Sequence, residues 1–227
     1  MAETKTLSDY EKYIRTEELL ALQKPVEACA NGEEPFFQIM HQAAELWMKH
    51  MIYEVGRVCR HLDTDEIFEA TNLFERVNKI LALMARQIEL TETMAPADYN
   101  VIRITSLGRG SGQESPGFRR LLEIPPDMWK SFKGVFERKK VDMMDVERKP
   151  HEHHELFRLM QAMMDYDELF LKWRYTHLRL ADRMIGLRVK SLKGVPATAL
   201  KQGTDEHLFP ELFELIPRLT DEYKPTY

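Results

Sequence analysis

Apolar residues recur along most of this chain at intervals of three and four, the spacing that places them on one face of an α-helix. Between residue 35 and about 62 the stripe is Phe37, Met40, Ala44, Trp47, Met48, Met51, Val55 and Val58. Pro35 opens it, and proline suits a first helical turn because its missing N–H would have no partner there. Residues 65–90 repeat the pattern with Ile67, Phe68, Leu73, Phe74, Val77, Ile80, Leu81, Met84 and Ile88. A third long run, residues 151–190, carries Phe170, Trp173, Leu180, Ala181 and Met184 on one face, with His177 set among them. No strand-like alternation competes with these periods, so the pattern predicts an all-α fold built on long helices.

Shorter elements fill the gaps. Ser8-Asp9-Tyr10-Glu11 has the form of a capping box, predicting a helix that carries Tyr10, Tyr13, Leu19, Leu20 and Leu22 towards Pro25. Asn31-Gly32 marks a turn. Pro96 starts a helix ending near Leu107, on which Tyr99 and Arg103, four apart, share a face. Glycines between Gly108 and Gly117 predict a loop, Pro125-Pro126 opens a helix through about Arg138, and residues 139–150 read as polar and exposed. Residues 191–206 read as a loop, and 209–213 as the start of a last short helix.

Composition narrows the function. At 227 residues and 44% hydrophobic content the chain can bury a substantial core as one domain, and its net charge of -5 leaves no basic excess for a phosphate backbone. Nucleic-acid binding is therefore disfavoured. The N-terminal residues lack the apolar stretch of a signal peptide, no run reaches membrane-spanning length, and Cys29 and Cys59 form no metal or disulfide pattern. A cytoplasmic protein is the expectation.

Several residues are candidates for chemistry. His177 is either a core histidine satisfied by a carbonyl or water, or a ligand whose ring points at an iron in a dry cavity between helices. His41 reads either as an amphipathic surface histidine or as a site residue. Arg103 is a solvated charge or a bidentate clamp for a carboxylate. The glycine-rich segment lacks the preceding strand and the lysine of a nucleotide loop, which leaves a loop folded on a flat ligand or a plain linker. The cluster His151-Glu152-His153-His154-Glu155 reads as a solvated helix start, since the Glu-x-x-His pairs of di-iron bundles do not occur.

Six motifs, in order, resemble the tryptophan 2,3-dioxygenase family. They are Phe37-Gln38-Ile39-Met40-His41-Gln42-Ala43-Ala44-Glu45-Leu46-Trp47; Met94-Ala95-Pro96-Ala97-Asp98-Tyr99 with Arg103; Ser111-Gly112-Gln113-Glu114-Ser115; Trp173-Arg174 followed by His177; Arg183-Met184-Ile185-Gly186; and Phe209-Pro210-Glu211-Leu212. The resemblance implies a helical bundle enclosing haem b (iron protoporphyrin IX), with His177 as proximal iron ligand and Gly110, Ser111 and Trp173 beside the cofactor. It implies His41 as the distal catalytic histidine, with Phe37, His41, Tyr99, Arg103 and Ser191 binding an aromatic substrate that carries a carboxylate. Tyr10 and Tyr13, on an arm of residues 1–33, would close a neighbouring subunit's pocket in a homotetramer. The implied reaction inserts dioxygen across the indole C2–C3 bond of L-tryptophan, giving N-formylkynurenine.

The chain also departs from that family. Lys190-Ser191-Leu192-Lys193-Gly194 stands where the family has Gly-Thr-Gly-Gly-Ser-Ser, and Gly112-Gln113-Glu114-Ser115 replaces Gly-Phe-Gln-Ser. The stretch between the Ser111 loop and His177 is shorter than usual. Two other readings therefore stand beside the dioxygenase: a haem monooxygenase or hydroxylase of another aromatic compound, and a non-catalytic protein that binds or senses haem or is a haemless helical scaffold.

Overall fold

The computed structural model describes residues 6–108, 110, 112–190, 201 and 203–224. Eleven α-helices occur among them: α1 (Asp9–Ile14), α2 (Thr16–Leu20), α3 (Glu34–Asp63), α4 (Ile67–Thr91), α5 (Pro96–Thr105), α6 (Pro116–Glu123), α7 (Pro125–Lys139), α8 (Met143–Arg148), α9 (His154–Ile185), α10 (Pro210–Phe213) and α11 (Leu215–Glu222). No strand forms among the described residues, as the period of the apolar positions requires. No described helix is long and apolar enough to cross a membrane.

Helices α3, α4 and α9 are the frame, and three cross-links fix their directions. Gln87 Nε2 donates to the Met40 carbonyl at 2.6 Å and Arg76 pairs with Glu54 at 2.9 Å, so α3 and α4 run antiparallel. Asn78 Nδ2 donates to the Ala162 carbonyl at 2.9 Å, and Arg183 reaches Glu92 at 3.3 Å, so α9 runs parallel to α4. The start of α3, the end of α4 and the end of α9 therefore meet at one end of the bundle. With 32 residues, α9 spans about 48 Å at the usual rise per residue, long enough to link that end to the opposite one.

Between them lies the main core, built on Met51, Leu62, Phe74, Leu81, Met84, Phe132, Tyr166 and Phe170, all fully buried. Two carboxylates are buried with it, each satisfied. Glu54 faces Arg57 at 3.1 Å, Arg76 at 2.9 Å and His50 at 3.5 Å. Asp167 accepts from His207 Nδ1 at 3.0 Å and from the Phe209 amide at 2.8 Å, which ties the C-terminal helices to α9. Trp129 Nε1–H adds a 3.0 Å bond to Glu211.

Three expectations need correction. The N-terminal helix opens with the Ser8–Glu11 capping box, but it divides at Arg15, whose φ of 55° and ψ of 52° are left-handed. Its apolar residues find no core among the described residues, and Tyr10 and Tyr13 stay 69% and 88% exposed. Residues 139–150 are not simply polar surface either. Asp142 caps α8 through a 2.7 Å bond from the Met144 amide, and the short helix buries Met144 and Val146 in a segment whose charge hides them. The long helix begins at His154 and ends at Ile185, inside the expected 151–190, where Gly186 takes a φ of 77°.

Phe74 is fully buried and meets the Tyr166 ring edge-on at 6.3 Å. Phe74→Ala should therefore lower unfolding free energy by about 3–5 kcal/mol, read from urea denaturation with an unchanged slope.

Candidate active site

A second, smaller apolar cluster occupies the end where α3, α4 and α9 meet. Phe37, Met94, Ile102 and Met184 are its buried members, with Tyr99, Leu107 and Leu180 packed against them. Helical spacing puts His41 one turn after Phe37 on α3, and the two rings lie 4.1 Å apart. Tyr99 of α5 packs on the same Phe37 ring at 5.9 Å. Arg103 follows Tyr99 by one turn and donates from Nη2 to the Lys190 carbonyl at 2.8 Å.

His177 approaches from α9. Trp173, one turn before it, stacks nearly parallel to its ring at 6.3 Å, and Phe118 of α6 braces Trp173 from behind at 5.3 Å. No hydrogen bond reaches the His177 ring among the described residues.

The two histidines share an electrostatic environment. Burial, followed by the charge of His41, pushes the His177 imidazole down to about 4 from an ordinary 6.5. Burial also lowers His41, against the raising effect of its bond to Phe37 and of the Glu45 carboxylate. Yet His41 is an exposed residue and His177 a half-buried one. Groups set deep in the protein that still keep open surface face a cleft rather than packed side chains. Both are held neutral there. His41 Nδ1 lies 2.8 Å from the Phe37 carbonyl, so a neutral ring carries its proton on Nδ1 and presents Nε2 to the cleft as an acceptor.

The family model described as tryptophan 2,3-dioxygenase matches residues 2–125 and 132–219. This chain belongs to the tryptophan 2,3-dioxygenase family. The enzyme class of the family, an oxidoreductase of dioxygenase type, is therefore its own. Relatives named tryptophan 2,3-dioxygenase include one from Shewanella woodyi, 25% identical over 92% of this chain and 90% of its own length. Another, from Myxococcus xanthus, is 25% identical over 93% and 89%, and one from Bradyrhizobium sp. is 24% identical over 91% of each. The Shewanella alignment runs over 260 residues, more than this chain contains, so that tryptophan 2,3-dioxygenase carries stretches with no counterpart here.

Of the residues expected at a tryptophan 2,3-dioxygenase site, Phe37, His41, Tyr99, Arg103, Trp173 and His177 gather at this end of the bundle. Gly110 stands at the turn after α5, its amide bonded to the Leu107 carbonyl at 2.7 Å, where an added Cβ would meet that oxygen at 2.9 Å. Ser111 and Ser191 lie outside the described residues. Tyr10 and Tyr13 are exposed on α1, and the His151–Glu155 cluster sits at the exposed start of α9. Two residues that shape the site were given no role from sequence. Gln87 links α4 to the carbonyl just before His41, and its only signal is a polar side chain beside an apolar stripe. Glu45 accepts from the Ser115 hydroxyl and from the Gly117 amide at 3.2 Å, a pairing across 70 residues that local spacing cannot announce.

The lowered histidines set a pH dependence. Between about pH 6.5 and 4 the unfolded chain takes up protons that the folded one refuses, so stability is complete above this window and is lost as pH falls through it. Thermal melts of the chain without added ligand should show a lower Tm at pH 5 than at pH 7.5, and His177→Phe should flatten that difference.

Proposed function

We propose that this chain is a haem-dependent dioxygenase that opens the indole ring of L-tryptophan, adding both atoms of dioxygen across C2–C3 to form N-formylkynurenine. The observation that carries the reading is the pair of neutral histidines facing one cleft from α3 and α9, in a chain whose relatives are named for this reaction.

The residues suit haem b. His177 is uncharged, with no protein hydrogen bond among the described residues, and so offers a lone pair of the kind that ligates iron. Trp173 stacks beside it. His177 is the proposed ligand, with Trp173, Gly110 and Ser111 bordering the cofactor. When bound, the haem supplies the ferrous iron that activates dioxygen.

The remaining roles follow from side-chain chemistry. His41 Nε2 accepts the indole N–H and so fixes which ring edge faces the reacting centre. Phe37 and Tyr99 form the apolar wall on which the indole lies. One Arg103 nitrogen is spent on the Lys190 carbonyl, and the rest of its planar fork takes the substrate carboxylate. Ser191 adds a hydroxyl for the ammonium end. The apolar residues left exposed on α1 and α2 support an arm that Tyr10 and Tyr13 lend to a neighbour in a homotetramer. We assign the protein to the cytoplasm, in keeping with two unpaired cysteines.

A second reading, a haem monooxygenase acting on another carboxylated aromatic compound, is favoured by the Lys190–Gly194 sequence and by the stretches the relatives have in excess. Reduced protein incubated with tryptophan and labelled dioxygen separates the two. The first reading requires N-formylkynurenine with two labelled oxygens. A singly labelled product from a different aromatic overturns it.

Two substitutions test the roles. His177→Ala should abolish the Soret band while leaving the helical content unchanged. Arg103→Ala should raise KM for tryptophan roughly 10- to 100-fold, the effect of losing charge-assisted hydrogen bonds, with a smaller change in kcat.

A further inference from the structure

The chemistry proposed above needs His41 and His177 at a fixed separation, yet they stand on helices that run in opposite directions. Helix α6 touches both. On one side Glu45, one turn after His41, accepts from the Ser115 hydroxyl and from the Gly117 amide at 3.2 Å. Ser115 Oγ in turn caps the helix by accepting from the Phe118 amide at 3.0 Å. A carboxylate at a helix start also meets the free amide ends and the positive pole of the helix. On the other side the Phe118 ring lies 6.4 Å from Phe170 and 5.3 Å from Trp173, which stacks on His177.

The fit has no slack at Gly117. A Cβ there would come within 2.8 Å of both Glu45 Oε2 and Met48 Cβ. The second of these is fixed to the α3 backbone and cannot swing aside.

We propose that Glu45 is a positioning residue: by clamping the first turn of α6 to α3, it sets the width of the cleft between His41 and His177. Phe118 transmits the position of α6 to Trp173, and Trp173 to the His177 ring. The inference rests on the reading of this cleft as the active site. The charged or titratable groups around His41 are Glu45 on its own helix and His177 across the cleft, while α5 brings Tyr99 onto the same Phe37 ring with Arg103 one turn on.

Two variants separate position from charge. Glu45→Gln keeps the size of the side chain but removes the charge and one of the two acceptor oxygens that hold Ser115 and Gly117. Gly117→Ala keeps every charge and donor and pushes α6 away from α3. Both should lower kcat/KM by roughly 10- to 100-fold, the scale of a displacement of about 1 Å, while circular dichroism shows the helices intact. Glu45→Gln alone should move the acid limb of the kcat/KM profile to lower pH, because the carboxylate that favours protonated His41 is gone. Gly117→Ala should leave that limb in place.

Variants within twofold of the parent in kcat/KM, with the limb unmoved, would overturn the proposal. So would a loss that only tracks the fraction of unfolded protein. If the parent does not turn over tryptophan, the reading of the site fails first. The Trp173 and His177 ring resonances, read by NMR on the full chain reduced under carbon monoxide so that any iron is diamagnetic, then decide the role of Glu45 alone: resonances unmoved by both Glu45→Gln and Gly117→Ala refute it.

Discussion

Neutrality of two imidazoles is the constraint that the rest of the structure serves. An imidazolium repels a second one and holds no lone pair for a metal, so both rings must sit where charge is disfavoured. The fold achieves this by setting them at the end of three long helices, where desolvation drives His177 down to about 4. The same end of the bundle also keeps open surface at both residues, and packed side chains and open surface are opposing demands. A small apolar cluster around Phe37 and Met184, separate from the main core, meets both.

The frame makes that possible because its polar links are few and well placed. Gln87 to Met40 and Arg183 to Glu92 fix neighbouring helices at the level of the site, while Asn78 and Glu54 do so further along. A buried carboxylate without partners is costly, and Glu54 and Asp167 each have theirs. The helices can therefore be long and stiff, and stiffness carries the geometry of a site placed at their ends.

Much of this was legible in the sequence. Period marked the three long helices, proline the starts of α3, α5 and α7, and the Ser8–Glu11 pattern the first cap, since each depends on neighbours within a few residues. The apolar face of α9 also placed His177 in a stripe, but periodicity could not tell a satisfied core histidine from a ligand; the resemblance supplied that preference. Contacts across long separations stayed hidden. Glu45 meets Ser115 and Gly117 only after α3 and α6 have packed, and Gln87 finds the Met40 carbonyl only once α4 folds back. Helix α8 escaped because its two buried side chains sit among charges. The division at Arg15 escaped because a non-glycine residue in the left-handed region has no local signature.

The chain on either side of residues 191–202 ends in firm moorings. Before them, the Lys190 carbonyl is held by Arg103; after them, His207 and Phe209 are anchored on Asp167, and Arg148 grips Glu222. Each flank is thus tied to the bundle on its own, so loosening one set of anchors leaves the other holding.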